Sequence, residues 1–201
     1  MEIGLYFGTF NPIHVGHLII ANYMADYTDL DKVWLIVSPQ NPMKEKNTLL
    51  ADIHRLALVK IAIEDNENLS VSDIEFNLPK PSYTVHTLAY LREKYPQHQF
   101  SLIMGEDNLR TLHKWKNHEQ ILQHHKLYVY PRVLTEQELD ELRDYHLESP
   151  YKKHPNVIMC DAPVMKVSSS FIRKAIKDKK DIRYLLTDPV QRYIEEMHFY
   201  E

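Results

Sequence analysis

The chain has 201 residues, 44% hydrophobic and 26% charged, with a formal net charge of −4, which excludes a disordered or fibrous chain and a surface that attracts nucleic acid by bulk charge. Any phosphate-binding surface therefore has to be local. The single cysteine, Cys160, excludes an internal disulfide, Met1 to Leu5 carry no basic region, and the apolar runs fall far short of the ~20 residues of a membrane span; together these predict a cytoplasmic protein with no nucleic-acid or membrane partner.

Ile3 to Phe7 reads as a short buried strand ending in Gly8, and Leu18, Ile19, Ala21, Asn22 and Met24 predict a helix beyond the Pro-containing loop. Lys32 to Ser38 predicts a second strand, stopped by the turn Pro39-Gln40-Asn41-Pro42, and a helix with Leu56, Val59 and Ile63 on one side follows from Asp52. Leu69 to Ile74 reads as strand, Thr84 to Tyr95 as helix, Phe100 to Met104 as strand, and Leu127 to Tyr130 as a strand stopped by Pro131. The basic, His-rich stretch between them, His113 to Lys126, reads as a solvated helix face. Thr135-Glu136-Gln137-Glu138 matches a capping box and predicts a helix from Glu136 to His146 outside the core. Val157 to Cys160 is the last predicted strand, Ser168-Ser169-Ser170 caps a helix through Lys177, and another helix starts near Asp188-Pro189.

Strands alternating with helices predict an α/β fold, a Rossmann-like, mainly parallel sheet with helices on both faces, in one domain over residues 1–201. Ligands of such sheets bind beyond the strand C-terminal ends, so chemistry is sought in the loops after Phe7, Ser38, Met104 and Cys160.

The first of those loops, Gly8-Thr9-Phe10-Asn11-Pro12-Ile13-His14-Val15-Gly16-His17, places two imidazoles three residues apart at a helix start. On a helix that spacing puts both rings on one face. Free N–H groups and the helix dipole favour an anion there, and Gly16 permits close approach. The residues alone leave other readings open, two surface histidines or half of a metal site, although no carboxylate or cysteine at ligand spacing accompanies the pair. Val167-Ser168-Ser169-Ser170-Phe171-Ile172-Arg173 is a second helix start with three hydroxyls and an arginine one turn in, suited to phosphate oxygens or to a plain Ser-rich cap.

Taken together, the two segments resemble the (S/T)-F-(N/D)-P-x-H-x-G-H and [IV]-S-S-[ST]-x-I-R signatures of the nucleotidyltransferases related to class I aminoacyl-tRNA synthetases. Asn11 stands where many members have Asp. Phe100 to Trp115, with its Gly105-Glu106-Asp107 and Leu112-His113-Lys114-Trp115, and Ser82-Tyr83-Thr84 followed by Thr87-Leu88, resemble the middle block of the bacterial nicotinate-nucleotide adenylyltransferases within that superfamily. The resemblance covers nearly the whole chain.

It implies transfer of AMP from ATP to nicotinate mononucleotide, with Mg²⁺ carried on the ATP phosphates. His14, His17, Lys44 and Arg173 would be the catalytic set. Gly8, Thr9, Phe10, Gly16, Gly105, Asp107, Ser168, Ser169 and Ser170 would bind ATP, with residues 168–201 completing that site. Thr84 and Trp115 would hold the pyridine end. In isolation Trp115 also reads as a core aromatic, and Asp107 and Thr84 as helix caps. Met43 replaces the family's usual histidine beside Lys44, and His86 its usual acid. Nicotinamide-mononucleotide and pantetheine-phosphate adenylyltransferases share the phosphate motifs and remain alternatives, as does a non-catalytic nucleotide-binding relative; a homo-oligomer is open.

Overall fold

The computed structural model describes residues 1–39, 49–131 and 149–201. The turn through Pro42, Met43 with Lys44, and the helix expected over 136–146 lie outside the described residues. The strands are β1 (Glu2–Gly8), β2 (Lys32–Val37), β3 (Leu69–Ser72), β4 (Gln99–Gly105), β5 (Leu127–Tyr130) and β6 (Val157–Met159). The helices are α1 (Val15–Tyr27), α2 (Asp52–Ala62), α3 (Thr84–Lys94), α4 (Glu106–Thr111), α5 (His118–His124), α6 (Ser169–Lys177) and α7 (Asp188–Glu196).

All described pairings are parallel, in the order β3-β2-β1-β4-β5-β6. The winding therefore reverses between β1 and β4, and the crevice at that switch point is where the first loop and Gly105 emerge. Strand residues alternate between two buried layers because successive side chains point to opposite faces. Ile3, Leu5, Phe100, Leu102, Met104, Leu127 and Val129 meet α3, α4 and α5 through Leu88, Leu91, Leu109, Ile121 and Leu122. Tyr6, Ile103 and Tyr128 join the other layer with Ile20, Met24, Leu58, Val59, Ile172, Ala175, Val190 and Ile194 from α1, α2, α6 and α7. The α/β, Rossmann-like parallel sheet with helices on both faces is thus the observed fold. Among the described residues no helix is long and apolar enough to cross a membrane.

Three expectations change. β3 ends at Ser72, and Ile74–Asn77 turns into a 3₁₀ segment rather than continuing as strand. On α2 Val59 and Ile63 are buried as expected, but Leu56 is only half-buried, and Arg55, Leu58 and Ala62 complete the buried row. The His113–Lys126 stretch is not a solvated helix face: a 3₁₀ turn (Leu112–Lys114) precedes α5, Ile121 and Leu122 are buried, and His125 is buried with its Nδ1 donating to Phe100 O at 2.7 Å. The β4–β5 crossover has to cover the sheet, and these residues supply the cover.

Candidate active site

α1 and α6 both begin at one cavity of about 470 Å³. Thr9, His14, Gly16, His17, Asp107, Ser168, Ser169, Ser170 and Arg173 line it together, from three separate stretches of chain. Two helix N-termini facing one space concentrate free N–H groups and positive dipole ends on it, the setting that favours a polyanion.

The two imidazoles converge by a different route from the one their spacing suggests. His14 is not on the helix but at its N-cap, with φ −147° and ψ 170°, while His17 is at the third helical position. The extended N-cap folds the His14 ring back over the first turn, where the rings stack at 3.7 Å with planes 25° apart. A Cβ on Gly16 would lie 3.1 Å from His14 Cε1 and Nδ1, so a larger residue there would press on the ring. His17 Nδ1 accepts the His14 backbone N–H at 3.3 Å, which leaves its ring proton on Nε2. Phe10 and Tyr6 pack edge-on against His17 at 5.1 and 6.2 Å.

Burial pushes the His14 pKa down to about 4, and burial together with the neighbouring His14 holds His17 well below the ordinary imidazole range. Both rings are therefore neutral at pH 7. A folded-state pKa below the unfolded value of 6.5 means that the unfolded chain takes up the proton first. His14 thus contributes stability that is complete above pH 6.5 and drains away towards pH 4, at about 1.4 kcal/mol per pH unit. Thermal midpoints measured from pH 7.5 to 5 are expected to fall less steeply in His14→Gln than in the parent; equal slopes would disprove this origin.

Phe10 does not line the cavity. It is buried at φ 46°, in the left-handed region, and its ring fills the space beside Gly8, where a Cβ would lie 2.8 Å from ring atoms. Gly8 and Phe10 thus shape the loop from below. Gly105 likewise sits behind the cavity: a Cβ there would collide with Asp107 Oδ1, so the glycine makes room for that carboxylate. Asp107 itself is in the first turn of α4, whose N-cap is Gly105, so its carboxylate is not the cap.

On the far side, Ser168 is the N-cap of α6 and accepts from Phe171 N at 3.2 Å. Ser169 Oγ donates to Pro12 O at 2.8 Å, and Arg173 donates to Asn11 O at 2.8 Å and to Ser170 Oγ at 3.3 Å. The bonds to Pro12 O and Asn11 O stitch the second motif to the first.

Thr84 and Trp115 stand apart from this cavity, both half-buried. Thr84 opens α3, whose N-cap is Tyr83, and Trp115 closes the turn after α4 and packs against the α3–α5 layer. Lys116 Nζ lies 4.5 Å from the Tyr83 ring centre, so the two segments do meet. Lys44 lies outside the described residues.

The motifs did not point to several residues that line or support the cavity. Tyr6 and Tyr130 line it, their hydroxyls 3.3 Å apart, and burial raises the Tyr6 pKa further from titration. Val164 and Met165 also line it, exposed and apolar, with nothing in their spelling to mark them. Arg55, behind the loop, had a readable signal: an arginine in register with the apolar row of α2 must be buried or break the row.

A cytidylyltransferase-like family model matches residues 5–175. A probable nicotinate-nucleotide adenylyltransferase of Flavobacterium johnsoniae is 56% identical over the whole of both chains, and that of Cytophaga hutchinsonii is 51% identical over 100% of this chain and 98% of its own. The chain belongs to the nicotinate-nucleotide adenylyltransferases. Plasmodium falciparum nicotinic acid mononucleotide adenylyltransferase, solved complexed with NaAD, superposes with a TM-score of 0.76 at 19% identity, covering 99% of this chain and 97% of that one, and so shares the fold. Membership of a nucleotidyltransferase family implies a divalent cation that accompanies ATP.

Proposed function

We propose that this chain transfers AMP from ATP to nicotinate mononucleotide, releasing pyrophosphate and forming deamido-NAD. The observation that carries this reading is the meeting of the α1 and α6 N-termini, with His14, His17, Ser168–Ser170 and Arg173, over one cavity at the sheet's switch point. The full-length relatives supply the acceptor.

The acceptor's 5′-phosphate is already anionic, so no protein nucleophile is required, and the site has only to align the reactants and stabilise charge. His14 and His17 serve as neutral donors at the α-phosphate and bridging oxygen. Arg173 and Ser168–Ser170 hold the β- and γ-phosphates, with Lys44 as a further cation. Thr9 and Gly16 bring the loop backbone close to the nucleotide, Gly8 and Phe10 hold that backbone in shape, and Asp107, given room by Gly105, accepts the ribose hydroxyls. Thr84 and Trp115 take the pyridine end, the indole face against the flat ring.

Among the described residues that line the cavity Asp107 is the one carboxylate, and it goes to the ribose, and no cluster of three or more His, Cys, Asp or Glu that could hold a metal ion is present among the described residues, so the cation would be held by triphosphate oxygens and water. That donor set suits Mg²⁺, which keeps much of its water and takes the rest of its ligands from the triphosphate. Bound there, it would neutralise charge on the departing pyrophosphate. We read residues 1–201 as one cytoplasmic nucleotidyltransferase domain whose ATP site is completed by 168–201, as the Ser169–Pro12 and Arg173–Asn11 bonds support.

The test is a pyrophosphate-release assay with ATP and either nicotinate or nicotinamide mononucleotide. Strong preference for the acid is expected. Equal turnover, or preference for the amide, would move the chain to the sister activity; ATP binding without turnover would leave only a nucleotide-binding protein.

A further inference from the structure

Two residues outside both phosphate motifs hold the loop that carries Thr9 and Asn11 into the cavity, and neither lines the cavity itself. Arg55, fully buried on α2, donates through Nη1 to Thr9 O and to Ser38 O at 2.8 Å, through Nε to Leu50 O at 3.0 Å, and through Nη2 to the Asp52 carboxylate. A buried guanidinium is tolerated only when its arms are paired. Because the fork is planar and rigid, pairing it with three carbonyls also fixes three backbone segments relative to one another, at the first loop, the end of β2 and the approach to α2.

Tyr200, in the segment after α7, acts from the other side. Its hydroxyl donates to Asn11 Oδ1 at 2.8 Å, an oxygen that also accepts Leu50 N at 3.2 Å. The carbonyl of the same Asn11 accepts Arg173 Nη1 at 2.8 Å. Asn11, only 4% exposed, thus links a tyrosine near one end of the sequence to the arginine of the second motif. Burial pushes the Tyr200 pKa up, so the hydroxyl stays a donor throughout the working range of pH.

We propose that Arg55 and Tyr200 are positioning residues of the nucleotide site. Arg55 sets the place of the Thr9 backbone, and Tyr200, through Asn11, sets the place of the Arg173 guanidinium. The inference rests on reading this cavity as the ATP site. It predicts an effect confined to the ATP side, since neither residue lies near Thr84 or Trp115 in the chain of bonds described.

Tyr200→Phe is the decisive variant, because it keeps the ring and leaves Asn11 Oδ1 its bond from Leu50 N, so the fold should persist. Loss of one hydrogen bond of ordinary strength predicts a rise of about fivefold in the Kd and KM for ATP, with the KM for nicotinate mononucleotide unchanged. Arg55→Lys keeps the charge but cannot reproduce the fork, and a loss of about 30-fold in kcat/KM for ATP is expected. Tyr184→Phe, at a position 83% exposed, serves as the control and leaves all constants unchanged. If Arg55→Lys fails to fold, Tyr200→Phe alone decides.

An unchanged ATP Kd in folded Tyr200→Phe, or equal rises in both KM values, would overturn the proposal. The ATP Kd, read by calorimetry, keeps this apart from the activity itself. Were the parent chain to bind ATP yet transfer no AMP, the functional reading would fall, while a fivefold weaker ATP Kd in Tyr200→Phe would still uphold the positioning.

Discussion

His17→Ala is expected to lower kcat for AMP transfer by a factor of about 100 or more, the usual consequence of removing one donor aimed at developing charge. The stacked pair explains why the loss should be large. His17 Nδ1 is occupied by the His14 N–H, so the proton is held on Nε2 as a donor without the entropy of choosing a tautomer. Burial keeps the ring neutral, so it donates without first having to lose or gain a proton. Ala also vacates the space between Phe10 and His14. The companion His17→Asn, which restores a short N–H donor, is therefore expected to recover part of the rate. Saturating steady-state kinetics decide the matter: a near-normal kcat in folded His17→Ala would remove His17 from the transition state.

Arg173→Ala should cost kcat/KM for ATP a factor of about 100 or more, roughly the 3 kcal/mol of a lost charge-assisted hydrogen bond at its upper range. Two consequences combine. A cation would leave the triphosphate, and Asn11 O loses its 2.8 Å partner, so of the two bonds described from α6 to the loop only that of Ser169 to Pro12 O is left. Arg173→Lys keeps charge without the fork and should fall between the parent and Ala. Initial rates at varied ATP and saturating acceptor give the measurement; a KM for ATP within twofold of the parent in Arg173→Ala would show that the guanidinium does not touch the phosphates.

Comparison of the folded chain with its sequence separates two kinds of information. The β1 and β4 runs were readable because strands buried on both faces are continuously apolar, and α6 and α7 because Ser168 and the Asp188-Pro189 pair mark their starts. The middle of the chain was harder. A histidine-rich run looks solvated, yet Ile121, Leu122 and His125 are buried because the crossover from β4 to β5 must cover the sheet. Likewise Phe10, within the phosphate motif, turned out to support the loop from the core rather than line the cavity, a distinction that motif spelling does not carry.

What the sequence alone determined, then, is local: which segments bury one face or two, where helices begin, and that two of those beginnings carry imidazoles, hydroxyls and an arginine of the kind that suits phosphate oxygens. The tertiary structure decided which of these places coincide. Asn11 and Arg173 are 162 residues apart and touch because the sheet reverses its winding beside β1, bringing α1 and α6 to the same edge. The backbone angles of His14, not its spacing from His17, stack the two imidazoles, and a buried arginine on α2 with a tyrosine beyond α7 hold the loop in place. Periodicity reflects what each segment must hide from water, whereas a binding site depends on distances between segments, and those are set only when the whole sheet is wound.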